Sequence, residues 1–196
     1  MFKKIFRKRR LKKDRSDIAT GLIPLKEIHS AAVLLDAAET GWAACAEKIK
    51  QFCKDSGIAL TMLFTDLRKP GKGIIMESDR EQTIRRRDIN WFGRPDLKKA
   101  ALLTGKPVDL FLCLADNDSY CIEYLAKSVK ARFKIGRRPF DGDPFDLIVA
   151  ESLPDTDREP EGQEQTDGGA QERKNTEGSI VEEIFRTITD IITKIE

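Results

Sequence analysis

The chain has 196 residues, of which 35% are charged and 40% are hydrophobic, and its formal net charge is +2. This length and balance are typical of one globular domain with polar appendages. The longest unbroken apolar run, residues 110–115, is far shorter than the roughly 20 residues of a membrane-spanning helix, so we expect a cytoplasmic protein.

The positive charge is concentrated at the start of the chain. Residues 1–15 contain nine Lys or Arg and one Asp, a net charge of +8, so the rest of the chain carries −6. Phe2, Ile5 and Phe6 would share one face of a helix there, but such a helix is marginal on its own. We predict a flexible basic N-terminal arm over residues 1–28, of the kind that contacts nucleic acid or anionic lipid.

Short apolar runs alternate with helical periodicity over residues 29–151. The runs at 30–37, 58–65 and 108–115 predict three buried strands. Shorter strands are expected near 73–77, 83–86, 132–136 and 145–150, with helices over 42–53, over 96–104 and after 118. Such alternation implies right-handed crossovers. We therefore predict an α/β domain over 29–151, with an open, doubly wound, mainly parallel sheet of about five strands, Rossmann-like or flavodoxin-like.

The last part of the chain divides into a linker and a helix. Residues 154–178 contain eight acidic residues, three basic ones and no Val, Leu, Ile, Met or aromatic residue, which predicts a disordered acidic linker over 152–178. Ser179 and Glu182 then form a capping box ahead of a stripe of isoleucines. We predict a C-terminal amphipathic helix over 179–196 that docks on the domain, the alternative being a partner or membrane helix.

The chain offers few residues for metal or disulfide chemistry. It has one histidine, and its four cysteines form no CxxC pair and lie in apolar settings. We expect buried free thiols at Cys45, Cys53, Cys113 and Cys121, with no metal site and no cofactor.

Polar residues follow two of the buried strands. In an open parallel sheet, ligands bind at the carboxyl ends of the strands. The candidate pocket residues there are Asp36, Thr40, Asp116, Asn117 and Ser119. Carboxylates from neighbouring strands could hold Mg²⁺, but such groups also cap helices and solvate loops, which is the interpretation we favour.

Three segments follow one another in the second half of the domain: DINWFGRP (88–95), ARFKIG (131–136) and FDLIV (145–149). With the basic start, they make the chain resemble a bacterial family of small α/β proteins that has no assigned function. The resemblance covers roughly 29–150 and the final helix, and it implies no catalytic residue. Its most specific residues are Asn90, Trp91, Phe92, Gly93 and Pro95. We interpret them as a buried hydrophobic plug, the alternative being an aromatic platform that stacks a base beside arginines.

Clustered cations carry the functional prediction. The candidate polyanion-binding residues are Lys3, Lys4, Arg7, Lys8, Arg9, Arg10, Lys12 and Lys13 in the arm, and Arg85, Arg86, Arg87, Arg94, Arg137 and Arg138 in the domain. Such an arm has salt-sensitive affinity for phosphate backbones, and anionic lipid attracts it at about 1 kcal/mol per residue. We predict a non-enzymatic binding module that contacts RNA, the ribosome or another polyanion. The alternatives are a small-molecule or nucleotide-binding enzyme acting at the carboxyl edge and a peripheral protein at the inner face of the membrane.

Overall fold

A computed structural model describes residues 2–69, 78–150 and 179–195 of the chain. The predicted linker at 152–178 and the predicted strand near 73–77 lie outside these described residues. The strands are β1 Ser30–Asp36, β2 Ala59–Asp66, β3 Thr83–Arg85, β4 Val108–Cys113, β5 Ala131–Gly136 and β6 Leu147–Ile148. The helices are α1 Phe2–Asp14, α2 Trp42–Asp55, α3 Leu97–Thr104, α4 Tyr120–Ser128 and α5 Ile180–Ile192.

The described strands form one open sheet of six, in the order β3-β2-β1-β4-β5-β6. All neighbouring pairs are parallel, and Val33 of β1 lies between Met62 of β2 and Leu112 of β4. This confirms the predicted parallel α/β sheet with its three central strands. The described sheet has six strands where about five were predicted, and the strands at its edges, β3 and β6, have only three and two residues.

Helices cover both faces of the sheet, which is why its central strands are apolar throughout. Side chains of a strand point alternately to opposite faces. Val33 and Leu35 pack in the cluster that contains α2 and α5, whereas Ala32 and Leu34 pack in the cluster that contains α3 and α4. The four cysteines are buried and free, as predicted, and burial raises the pKa of the Cys45, Cys113 and Cys121 thiols to about 12 and that of Cys53 to about 11.

The C-terminal helix α5 packs beside α2 on one face of the sheet. Ile188 is fully buried, and the ring of Phe185 meets that of Phe52 edge to face at 6.0 Å. At the start of the helix, Ser179 lies against Gly41, the residue that precedes α2 and has a φ of +82°. A Cβ at position 41 would collide with the Ser179 side chain, so glycine is required there for both conformation and space.

The basic segment at the start of the chain differs from the flexible arm that we predicted. It forms α1, which packs on the outer side of α4 and buries Leu11. A helix that is marginal in isolation is stabilised when one of its faces packs against the rest of the protein. The outermost layer of the molecule is therefore a basic helix held against the domain.

None of the helices within the described residues has the length and hydropathy that crossing a bilayer requires.

One lysine of the sheet is buried. Lys134 of β5 is 3% exposed, and its Nζ donates a hydrogen bond to the Ala126 carbonyl at 3.2 Å. Burial lowers the pKa of Lys134 to about 8, with the charge of Asp146 opposing the shift and that of Arg15 adding to it. The folded protein therefore binds this proton more weakly than the unfolded chain does.

We expect Ile188→Ala to lower the free energy of unfolding by about 2–5 kcal/mol, because it leaves a cavity between α5 and the sheet. Urea unfolding monitored by circular dichroism measures the change. Ile180→Ala, at the half-exposed first position of the same helix, is the matched control and should change stability by less than about 0.5 kcal/mol. Equal stability of the two variants would contradict the packing of α5.

We expect the stability of the wild-type protein relative to Lys134→Met to increase as the pH rises from about 8 to about 10.5. In that window the unfolded chain holds a proton that the folded protein has released, so higher pH favours folding. Unfolding free energies of both proteins at about pH 7 and about pH 10 measure the effect, and the difference between the proteins cancels the titration of cysteines. A difference that does not vary with pH would contradict a lowered Lys134 pKa.

Candidate functional site

A cleft of about 760 Å³ lies between α1, α4 and the loop that follows β5. Six cations and three carboxylates line it, and Lys127 is neutralised by Glu123 at 2.6 Å. We call this cleft, with its cations Lys4, Arg7, Lys8, Lys12, Arg15 and Lys127, the basic cleft. The remaining cations outnumber the remaining carboxylates, Asp118 and Asp141, so the cleft attracts anions.

The spacing of lysines along α1 places them on the cleft. Lys4, Lys8 and Lys12 follow one another at intervals of four residues and therefore lie on one side of the helix. Like charges at this spacing destabilise an isolated helix by about 0.2–0.5 kcal/mol for each pair. Packing of Leu11 on α4 offsets that repulsion in the folded protein.

Arg7 holds the start of α1 against the domain. Its Nε donates a hydrogen bond to the Phe92 carbonyl at 2.6 Å, and its guanidinium lies 4.6 Å from the ring centroid of Tyr120. The Tyr120 hydroxyl in turn donates to the Arg7 carbonyl at 3.3 Å. Arg7 therefore has a defined position in the cleft and does not move freely as a surface arginine would.

Asp14 holds the other end of α1. Its carboxylate accepts hydrogen bonds from Arg94 at 3.1 Å and from the Tyr124 hydroxyl at 3.0 Å, and it forms an ion pair with Arg10 at 3.0 Å. Sequence reasoning assigned Arg10 and Arg94 to polyanion binding. In the structure, Arg94 joins Asp14 of α1 to the domain, whereas Arg10 pairs with Asp14 within α1.

The other predicted cations do not form one surface with α1. Arg137 is 4% exposed, with Nη1 at 2.6 Å from Glu39, so its assignment to a basic surface is wrong. The charge of Arg137 instead neutralises carboxylates at the carboxyl edge of the sheet, those of Glu39 and Asp116. Arg85 donates a hydrogen bond to the Ser78 carbonyl, and Arg138 pairs with Asp116. The remaining predicted cations are exposed and lie outside the lining of the cleft: Lys3, Arg9, Lys13, Arg86 and Arg87.

Sequence reasoning missed two cations of the basic cleft, Arg15 and Lys127. Arg15 donates a hydrogen bond to the Gly142 carbonyl at 3.3 Å, across the cleft from α4. Lys127 lies seven residues after Tyr120, on the stripe of α4 that faces α1. The seven-residue spacing places Lys127 and Tyr120 on the same face of α4. It identifies Lys127 as a cleft residue only when α1 is known to pack against that face.

At the carboxyl edge, most of the predicted pocket residues have partners within the protein. Asp36 accepts hydrogen bonds from the Asn117 side chain at 2.8 Å and the Ala38 amide at 3.0 Å, and burial raises the pKa of Asp36. Ser119 caps α4 by accepting from the Ile122 amide. Asp116 forms ion pairs with arginines, whereas Thr40 is exposed and lines a separate hollow of about 260 Å³. The described residues contain no cluster of three His, Cys, Asp or Glu side chains suited to a metal ion.

The Asn-Trp-Phe-Gly loop lies beside the start of α1. The Asn90 side chain accepts hydrogen bonds from the amides of Phe92 and Arg94, both at 3.0 Å, and closes the loop. Gly93 has a φ of +91°, and a Cβ there would lie 2.7 Å from the Arg7 guanidinium. Phe92 is half-buried and stacks on Phe6 with ring centroids 4.3 Å apart.

The prediction that Trp91 is buried is wrong. Its side chain is 82% exposed, and the Lys3 ammonium lies 5.2 Å from the ring centroid. The reason is that α1 packs against the loop on the side of Phe92, which leaves the neighbouring Trp91 pointing into solvent.

Comparison with known proteins places the chain in a wider group. The model of a protein family described as "Family of unknown function (DUF6913)" matches residues 1–158. This range includes α1 and all six described strands, whereas α5 lies beyond it. No curated protein and no solved structure matches the chain.

We expect Leu11→Ala to weaken the docking of α1 by about 2 kcal/mol or more, because Leu11 is the buried apolar residue of that helix. Hydrogen exchange measured by mass spectrometry should be faster in Phe2–Asp14 of the variant than in the same segment of the wild-type protein, while exchange in the strands stays unchanged. Ile5→Ala, at a half-exposed position of the same helix, is the control. Unchanged exchange in Leu11→Ala would show that α1 does not depend on this contact.

Proposed function

We propose that this protein, which belongs to the DUF6913 family of unknown function, is a non-enzymatic binding module whose basic cleft holds the phosphate backbone of RNA. The observation that carries the proposal is the convergence of four cations of α1, together with Arg15, on one concave surface beside α4. Phosphate oxygens accept hydrogen bonds from Lys and Arg, and their neutralisation releases counterions.

The charge of α1 has a cost that an anionic ligand would remove. Residues four apart on a helix have Cβ atoms about 5–6 Å apart, which is less than the screening distance of about 8–10 Å, so Lys4, Lys8 and Lys12 repel one another in the free protein. Neither the sheet nor α4 requires most of these charges, since Leu11, Arg7 and Asp14 provide the docking contacts. A bound row of phosphates would replace this repulsion by attraction along the cleft.

The shape of the cleft favours a strand over a membrane. A bilayer presents a flat surface that cannot enter a groove between two helices, whereas a single phosphate backbone can. One observation favours membrane binding. Phe2 is 91% exposed near the lysines of α1, as an aromatic residue that anchors a protein in the membrane interface would be. Binding to anionic vesicles is therefore the competing outcome of the test below.

The carboxyl edge supports an enzyme less well. The acidic side chains there are held by Asn117, Arg137 and Arg138, and Ser179 occupies the space beside the Gly41 turn where a phosphate would approach the start of α2.

We expect the protein to bind a short oligouridine with an affinity that falls log-linearly with salt between about 50 and 200 mM. Lys4→Glu/Lys8→Glu should weaken binding at least tenfold and reduce the salt slope by about 0.7 for each phosphate that the variant no longer neutralises. Fluorescence anisotropy of a labelled oligonucleotide measures both.

The matched control is Lys54→Glu/Lys98→Glu, which changes the net charge equally at exposed positions of α2 and α3. Phosphatidylcholine vesicles with and without phosphatidylserine test the competing ligand. The proposal fails if both double variants weaken RNA binding equally, or if the protein binds the anionic vesicles and not the oligonucleotide.

A further inference from the structure

We infer that Trp91 stacks on an unpaired base, so that the ligand of the basic cleft is a single strand and not a duplex. This inference rests on the proposed function, because it assumes that phosphates occupy the cleft. It starts from the exposure of Trp91, which the packing of the domain leaves unexplained.

Trp91 is exposed but not loosely held. The loop that carries it is closed by the two hydrogen bonds to Asn90 and by a backbone hydrogen bond from the Asn90 amide to the Arg94 carbonyl at 2.9 Å. On one side Phe92 stacks on Phe6 and fixes the loop to α1. The indole is therefore presented to solvent from a constrained backbone, as a preorganised binding surface requires.

A cation accompanies the indole. The Lys3 ammonium lies over one face of the indole, 5.2 Å from the ring centroid, and its charge would attract a phosphate next to a base stacked on the opposite face. Surfaces that bind single strands combine such cations with aromatic faces, because every base has a π-face that can stack. An isolated exposed aromatic would carry no such meaning, but here a lysine accompanies it.

The Trp91 loop and the basic cleft are joined through Arg7. The Arg7 side chain donates to the Phe92 carbonyl, next to Trp91, and it also lies over Tyr120 and lines the cleft. Gly93 allows this approach, since a side chain there would meet both Arg7 and Tyr120. A nucleic-acid backbone that follows the cleft past Arg7 toward the start of α1 therefore leads to the indole of Trp91.

The requirement for an unpaired base follows from the geometry of nucleic acids. In a duplex each base is already stacked between its neighbours, and only its edges reach the grooves. An indole at the surface can stack on a base only where that base is free, as in a single strand or a loop. Trp91 should therefore contribute to the binding of single strands and contribute nothing to the binding of duplexes.

The test uses the full-length protein, short oligouridine and the same oligouridine annealed to oligoadenosine. We expect Trp91→Ala to weaken binding of the single strand between about fivefold and a hundredfold, while leaving duplex affinity and the salt slope unchanged. Trp91→Phe should retain most of the affinity, because a ring remains. Leu102→Ala, at another exposed apolar position, is the control for a smaller apolar surface.

Fluorescence gives a second readout. The chain has two tryptophans, so in a Trp42→Phe background Trp91 is the only one, and selective excitation of tryptophan reports on it alone. Stacking should quench its emission on addition of single-stranded RNA and not on addition of the duplex.

The inference is overturned if Trp91→Ala leaves single-strand affinity unchanged or weakens both forms equally. It is also overturned if the substitution weakens only binding to phosphatidylserine vesicles. If Lys4→Glu/Lys8→Glu still weakens RNA binding at least tenfold in those cases, the proposed function survives. If the wild-type protein binds no RNA, both proposals fall together.

Discussion

Leu11 is buried where α1 packs on α4, with Arg7 held by Phe92 and Tyr120 on one side of it and Asp14 held by Arg94 and Tyr124 on the other. These contacts hold a highly charged segment against the domain, where it forms one side of the basic cleft. Without them the lysines of α1 would be spread over a mobile chain, and neither the basic cleft nor the position of the Trp91 loop would exist. The apolar contact supplies the stability, and the polar contacts on either side determine the orientation.

The arginines of this protein divide into two groups: those that pair with carboxylates inside the protein, and exposed ones such as Arg9 and Arg86. Arg94 and Arg137 are largely removed from solvent and paired with carboxylates, where a guanidinium satisfies several acceptors at once. Arg7 lies between these groups, since it has protein partners and still lines the cleft. Counting cations in the sequence therefore overestimates the charge available to a ligand, because carboxylates of the protein already neutralise some of them, including Lys127 in the cleft.

The domain presents two surfaces of different character. Its carboxyl edge, the usual ligand site of a doubly wound fold, is satisfied by internal pairs such as Asp36 with Asn117 and is narrowed where Ser179 meets Gly41. The basic cleft lies on the outer side of α4, in a layer that α1 adds to the fold. This position outside the sheet places the cleft on the surface of the molecule, between two helices and a loop.

The sequence by itself determined the parallel sheet and its central strands, because apolar runs such as residues 108–115 are needed only where both faces of a strand are covered. It also determined the buried cysteines and the capped helix after Ser179, since both depend on local patterns. Tertiary structure alone decided which face α1 presents, why Trp91 is exposed beside a half-buried Phe92, and that Arg137 is internal. Those outcomes depend on contacts such as Arg7 with Phe92, between residues 85 positions apart, and no local pattern encodes them.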